Sequence, residues 1–131
     1  MANPNIVNVT TIFGTTTFLT PSATTAVVLL NNTATSNQVF KINQIVAANV
    51  NGTNAVDTTV SIYNNGAVNQ GSAPSGGTAF PIASTVSVPA DASLVVVDKT
   101  TAIYLMEGQS IIVTSGTASG ITYTISYEVI Q

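Results

Sequence analysis

Ile121-Thr122-Tyr123-Thr124-Ile125-Ser126-Tyr127-Glu128-Val129 alternates apolar and polar side chains without a break. Successive side chains of a strand point to opposite faces. This period of two therefore sets Ile121, Tyr123, Ile125, Tyr127 and Val129 against Thr122, Thr124, Ser126 and Glu128. The first set is read as core, the second as facing a polar environment. Residues 55–63 repeat the pattern, with Val56, Thr58, Val60 and Ile62 on one side and Asp57, Thr59, Ser61 and Tyr63 on the other. Residues 38–50 supply Val39, Phe40, Ile42, Ile45 and Val46. The segment between these two runs, Asn49-Val50-Asn51-Gly52-Thr53-Asn54, is rich in residues that accept positive φ, so the pair is expected to form an antiparallel hairpin.

Working outward, strands are predicted at residues 5–18, 26–30, 79–88, 93–98, 102–106 and 110–115, separated by turn residues such as Pro89-Ala90-Asp91-Ala92 and Glu107-Gly108-Gln109. Thr, Val and Ile are stiff at χ1 and favour a pleated surface, and no window keeps the i, i+3, i+4, i+7 apolar spacing of an amphipathic helix. Residues 69–78, with Gln70-Gly71-Ser72-Ala73-Pro74-Ser75-Gly76-Gly77, lack a hydrophobic pattern and are expected to form a mobile surface loop. About eight short strands with turns every 8 to 12 residues predict an all-β, single-domain antiparallel β-sandwich, jelly-roll-like, over residues 1–131. The interruptions at Pro4 and Pro21 suggest that residues 1–20 form an N-terminal arm contacting a partner.

Composition narrows the chemistry. Of 131 residues, 45 % are apolar and only 5 % charged, the latter being Lys41, Lys99, Asp57, Asp91, Asp98, Glu107 and Glu128. An ordinary soluble domain carries roughly 25 % charged residues. Thr, Ser and Asn must cover most of the surface, and they hydrogen-bond water without the repulsion that holds proteins apart. Such a surface tolerates close neighbours, and self-association is expected. Low net charge with high apolar content also argues for a folded chain rather than a disordered one.

Histidine and cysteine are absent, which removes Ser-His-Asp and Cys-His arrangements and the common zinc-ligand sets. Paired carboxylates from Asp91, Asp98, Glu107 and Glu128 are the remaining catalytic option, but three of them sit at turns or strand ends where solvated acids are ordinary. No calcium-loop spacing surrounds Asp91, Asp98 or Glu107, and Gly71 to Gly77 lacks the Lys-Ser/Thr and helix of a phosphate loop. The chain is not expected to be an enzyme or to hold a cofactor or metal. Two lysines, no arginine and an acidic balance argue against nucleic-acid binding. No apolar run approaches the roughly 18 residues of a membrane span, and no basic residue precedes Lys41, as a secretory leader would require. Tyr123 and Tyr127 are assigned to the core. Tyr63, sharing a face with Asp57, Thr59 and Ser61, is the candidate contact residue, and these four form the candidate interface.

The segment Val86-Ser87-Val88-Pro89-Ala90-Asp91-Ala92-Ser93-Leu94-Val95-Val96-Val97-Asp98-Lys99, followed by Ile103-Tyr104-Leu105-Met106-Glu107-Gly108-Gln109-Ser110-Ile111, resembles a family of small β-rich virion proteins of tailed phages infecting marine cyanobacteria. Val39-Phe40-Lys41-Ile42-Asn43, Val50-Asn51-Gly52-Thr53-Asn54-Ala55 and Ile125-Ser126-Tyr127-Glu128-Val129-Ile130 extend the likeness over most of the chain. A turn that commonly reads Gly-Asp in such domains is Gly108-Gln109 here. The resemblance implies a multi-copy virion component assembled in the host cytoplasm, with the major capsid protein or other virion proteins as partners and no catalytic residues. Combined with the uncharged surface, it leads to the expectation of a capsid decoration or cement protein. A neck, tail or fibre-associated protein is the first alternative, and a carbohydrate-binding or adhesin module using Tyr63 the second.

Overall fold

The computed structural model describes residues 7–131 and places nine strands in two antiparallel sheets. In chain order they are β1 (Ile12–Leu19), β2 (Val27–Asn32), β3 (Val39–Asn49), β4 (Val56–Tyr63), β5 (Ala79–Val88), β6 (Ser93–Val97), β7 (Ile103–Leu105), β8 (Gln109–Ser115) and β9 (Ile121–Ile130). Sheet A has the order β1-β9-β3-β6, with β7 also on β3; sheet B has the order β2-β8-β4-β5. β6 runs beside the second half of β3 and β7 beside the first half. A single 3-10 turn at Lys99–Thr101 separates them, so the two act as one interrupted edge strand. Counted that way there are eight strands, four per sheet, and the interleaved orders are those of a jelly roll.

The core lies between the sheets. Ile42, Ile45, Ala47, Ile121, Tyr123 and Ile125 from sheet A meet Leu29, Val56, Val60, Ile111 and Val113 from sheet B, and all are 0 or 1 % exposed. Alternation on β9 therefore produces the expected inward face, and Tyr127 adds a tilted ring contact to Phe40 with centroids 5.1 Å apart. Within this apolar layer the Tyr123 hydroxyl reaches across to sheet B, where it donates to the Thr114 carbonyl at 2.8 Å and shares a short hydrogen bond with the Thr58 hydroxyl. A buried phenol and a buried threonine thereby satisfy each other.

The expected hairpin between residues 38–50 and 55–63 is not present. β3 belongs to sheet A and β4 to sheet B, so the intervening segment is an arch that crosses the core. Strand alternation is satisfied equally by two strands lying side by side or facing each other across a core, which is why periodicity did not separate the cases. Asn49 holds the arch: its amide donates to the carbonyls of Asn54 (3.0 Å) and Val88 (2.8 Å), and its Oδ1 accepts from the Asn51 backbone at 2.7 Å. None of residues 49–54 has positive φ. Of the first twenty residues, 1–6 lie outside the described residues, and Ile12–Leu19 is incorporated in sheet A, paired with β9 from Tyr123 to Ile130.

Candidate functional site

The two outer faces of the sandwich differ, and the difference is made by the Gly/Ser-rich segment after β4. Residues 64–78 fold back over the outer face of sheet B instead of standing free. Gly71 N–H donates to the Val28 carbonyl (2.8 Å) and Val28 N–H to the Ser72 carbonyl (2.9 Å), covering the open edge of β2. Asn31 donates to the Gly66 carbonyl at 3.1 Å, Asn65 to those of Ser75 and Gly76, and Ser110 to that of Asn65. Gln70 donates to the Leu29 carbonyl and the Thr17 hydroxyl, both at 3.0 Å, and so ties the loop to both sheets. Asn and Gln side chains thus bind carbonyls that a loop without strand partners leaves open. Beneath the loop Val28, Tyr63 and Ile112 form a second, smaller cluster flanked by Ala26 and Val68.

This cover corrects the expectation for Tyr63. It does lie on the outer face, but it is 7 % exposed and its hydroxyl accepts from Gly77 N–H at 2.9 Å. Ser61, on the same face, is 3 % exposed. Of the four candidate contact residues only Asp57 is exposed and Thr59 half-buried. Thr59 is already engaged, its hydroxyl accepting from Thr85 N–H at 2.9 Å where β5 bulges. The structure therefore does not bring the four together as a reachable patch. A reading that needs Tyr63 as an exposed sugar platform loses that ring.

The outer face of sheet A is the open one. The registers of β1, β9, β3 and β6 place Phe18, Thr124, Val46 and Val95 in one row across the sheet. Phe18 is 70 % exposed and Val95 51 %. The next row is Thr16, Ser126 and Gln44, all neutral. Lys41 and Glu128 are direct cross-strand neighbours in the row beyond, so the face carries one charge of each sign side by side. Four β-strands thus present hydroxyls around an apolar row, a composition whose burial against another protein requires partners for the hydroxyls but largely avoids the greater cost of burying charges.

Acidic groups do not converge. Among the described residues no three of His, Cys, Asp or Glu lie close enough together to hold a metal ion. Asp98 acts locally, capping the 3-10 turn by accepting from the Thr100 and Thr101 backbones at 2.9 and 3.1 Å. Hydrogen bonds from Thr100, side chain first, hold its carboxyl below the ordinary value. No helix among the described residues is long and apolar enough to cross a membrane. Sequence reasoning missed the sheet A row because Phe18, Val46 and Val95 lie on three separate strands and only the register aligns them. Compared with known proteins, the sequence matches no family model and no curated relative. The molecule is thus defined by class alone, an all-β sandwich with one loop-covered face and one open, nearly uncharged face.

Proposed function

We propose that the protein is a virion structural component, a capsid decoration or cement protein that binds the outer head lattice of a tailed phage. The observation that carries this reading is the open face of sheet A, an apolar row framed by neutral hydroxyls on a chain with only seven charged side chains. The likeness of residues 86–111 to small phage virion proteins supplies the partner class. The mechanism is burial: a contact of standard size removes about 800 Å² per partner from water, and repetition around a shell makes modest single-site affinity sufficient.

The test is the copy number of the chain relative to the major capsid protein in purified particles. A ratio near parity supports decoration. A few copies to a few dozen per particle move the protein to a neck, tail or fibre position, and absence from particles refutes a virion role.

A further inference from the structure

We propose that the edge of β1 that no strand among the described residues pairs is a self-pairing edge, through which a second copy of this chain adds antiparallel to extend sheet A across a two-fold axis. The pairing concerns the isolated protein and goes beyond the lattice-binding reading, which it does not require.

The backbone fixes which groups the edge offers. Thr11 and Gln131 exchange both hydrogen bonds, at 2.9 and 3.0 Å, and the β1–β9 register continues from them without a shift. Bonded pairs alternate along an antiparallel ladder, so Thr11, Phe13, Thr15 and Thr17 direct their N–H and C=O groups to β9. Ile12, Gly14, Thr16 and Phe18 direct theirs outward. The contact of Gln70 with the Phe18 carbonyl at 3.4 Å agrees with that direction. It leaves the carbonyl a second lone pair.

The other outer strands are protected in recognisable ways. β5 contains Pro81, two register shifts and Thr85 at φ 51°. β6 and β7 are interrupted by the 3-10 turn, and β2 is bonded to the loop at Val28. β1 has no proline, no bulge and no charge, and no charged side chain occurs before Lys41. It also exposes large apolar side chains, with Ile12 at 54 %, Phe13 at 50 % and Phe18 at 70 %. A long, regular, apolar edge of this kind is a template for another strand.

Geometry narrows the register, and apolar pairing selects it. A two-fold axis perpendicular to the sheet keeps each side chain on its own face, so paired residue numbers must sum to an even value. Outward groups must also meet outward groups. Pairing centred on Thr15 meets both conditions and places Ile12 opposite Phe18 of the second copy twice, with Gly14 opposite Thr16. Apolar side chains then face each other on the outer surface, the favourable cross-strand arrangement. Both sheet A faces end on the same side, giving one continuous eight-stranded surface.

The chain has no cysteine, so single thiols report the register directly. In the proposed pair the two Thr15 residues form a non-hydrogen-bonded pair with Cα atoms about 4.5 Å apart, within disulfide range. Thr15→Cys is expected to oxidise to a covalent dimer. Thr11→Cys, whose two copies lie about 27 Å apart in that register, is expected not to. Light scattering across a concentration series is expected to give a wild-type mass twice that of the chain. Thr16→Pro removes an outward N–H and no backbone bond to β9, only the exposed hydroxyl contact with Ser126 at 2.9 Å, and should return the mass to one chain with an unchanged circular dichroism spectrum. A monomeric wild type at every concentration, a dimer indifferent to Thr16→Pro, or equal cross-linking at positions 11 and 15 would overturn the proposal.

Discussion

Substituting Gly66 with alanine tests the packing of the loop that makes the two faces unequal. Gly66 passes so close to the end of β2 that a Cβ would stand 2.0 Å from the Asn32 carbonyl oxygen and 2.7 Å from that of Gln109. Both obstacles are backbone and cannot swing aside, so the loop itself must lift. Lifting breaks the Asn31 bond to Gly66 O and the Ser110 bond to Asn65 O, each contributing about 1 kcal/mol. It also rewets part of the Val28, Tyr63 and Ile112 cluster, adding about 1 to 2 kcal/mol. The expected loss is therefore about 3 to 4 kcal/mol by urea denaturation. Amide exchange should accelerate at Val28 and Gly71, whose N–H groups bond across the loop contact. Gly14→Ala is the control, since nothing lies within 4 Å of its added Cβ, and it should stay within about 0.5 kcal/mol of wild type. A Gly66→Ala protein as stable as that control, with Val28 exchange unchanged, would refute the loop packing.

Tyr123→Phe removes the hydroxyl that joins Thr58 to the Thr114 carbonyl. With Thr58 at 1 % exposure and left unpartnered, denaturation should show a loss of about 1 to 3 kcal/mol, and Thr58→Val added to it should recover part of that loss. Burial pushes the Tyr123 phenol up to about 12 from an ordinary 10. The folded state favours the neutral phenol, so this contribution is complete below pH 10 and is lost as pH rises towards 12, a fall of roughly 2 to 3 kcal/mol. Stability measured against alkaline pH should fall less steeply in Tyr123→Phe, with burial of Tyr127 leaving a remainder. Asn49→Ala takes away the three side-chain hydrogen bonds with which Asn49 holds the β3–β4 arch. It is expected to cost about 2 to 3 kcal/mol, read as a lower thermal midpoint.

The sandwich was legible because strand alternation is written residue by residue: the five apolar residues 121, 123, 125, 127 and 129 of β9 all face the core side, and nearly every turn fell where Gly, Pro, Asn or Asp clusters. Partnership was not legible. Alternation states which side chains share a face and leaves open whether the next strand lies beside or across, so the arch at residues 50–55 passed for a hairpin. Cover was missed for a related reason. Tyr63 alternates like an outward residue and is one, yet fifteen loop residues fold onto it. A signal was present in the unbroken apolar runs Val27-Val28-Leu29-Leu30 and Ile111-Ile112-Val113, which mark strands buried on both faces. The sheet A face could not be read at all, because Phe18, Val46 and Val95 become neighbours only through the pairing of β1, β9, β3 and β6.

The central claim, that this chain works by laying a nearly uncharged sheet against a larger protein lattice, is tested most directly by binding purified protein to phage heads lacking it. Cosedimentation across a salt series, for wild type and Val95→Lys, is the measurement. A contact whose only charges are the adjacent Lys41 and Glu128 is barely screened, so wild-type binding should saturate at a fixed ratio per capsid subunit and hold from low to molar salt. Val95 is half exposed, so lysine there should leave the fold intact and abolish binding. Binding that collapses with salt, or that Val95→Lys leaves untouched, would contradict the account.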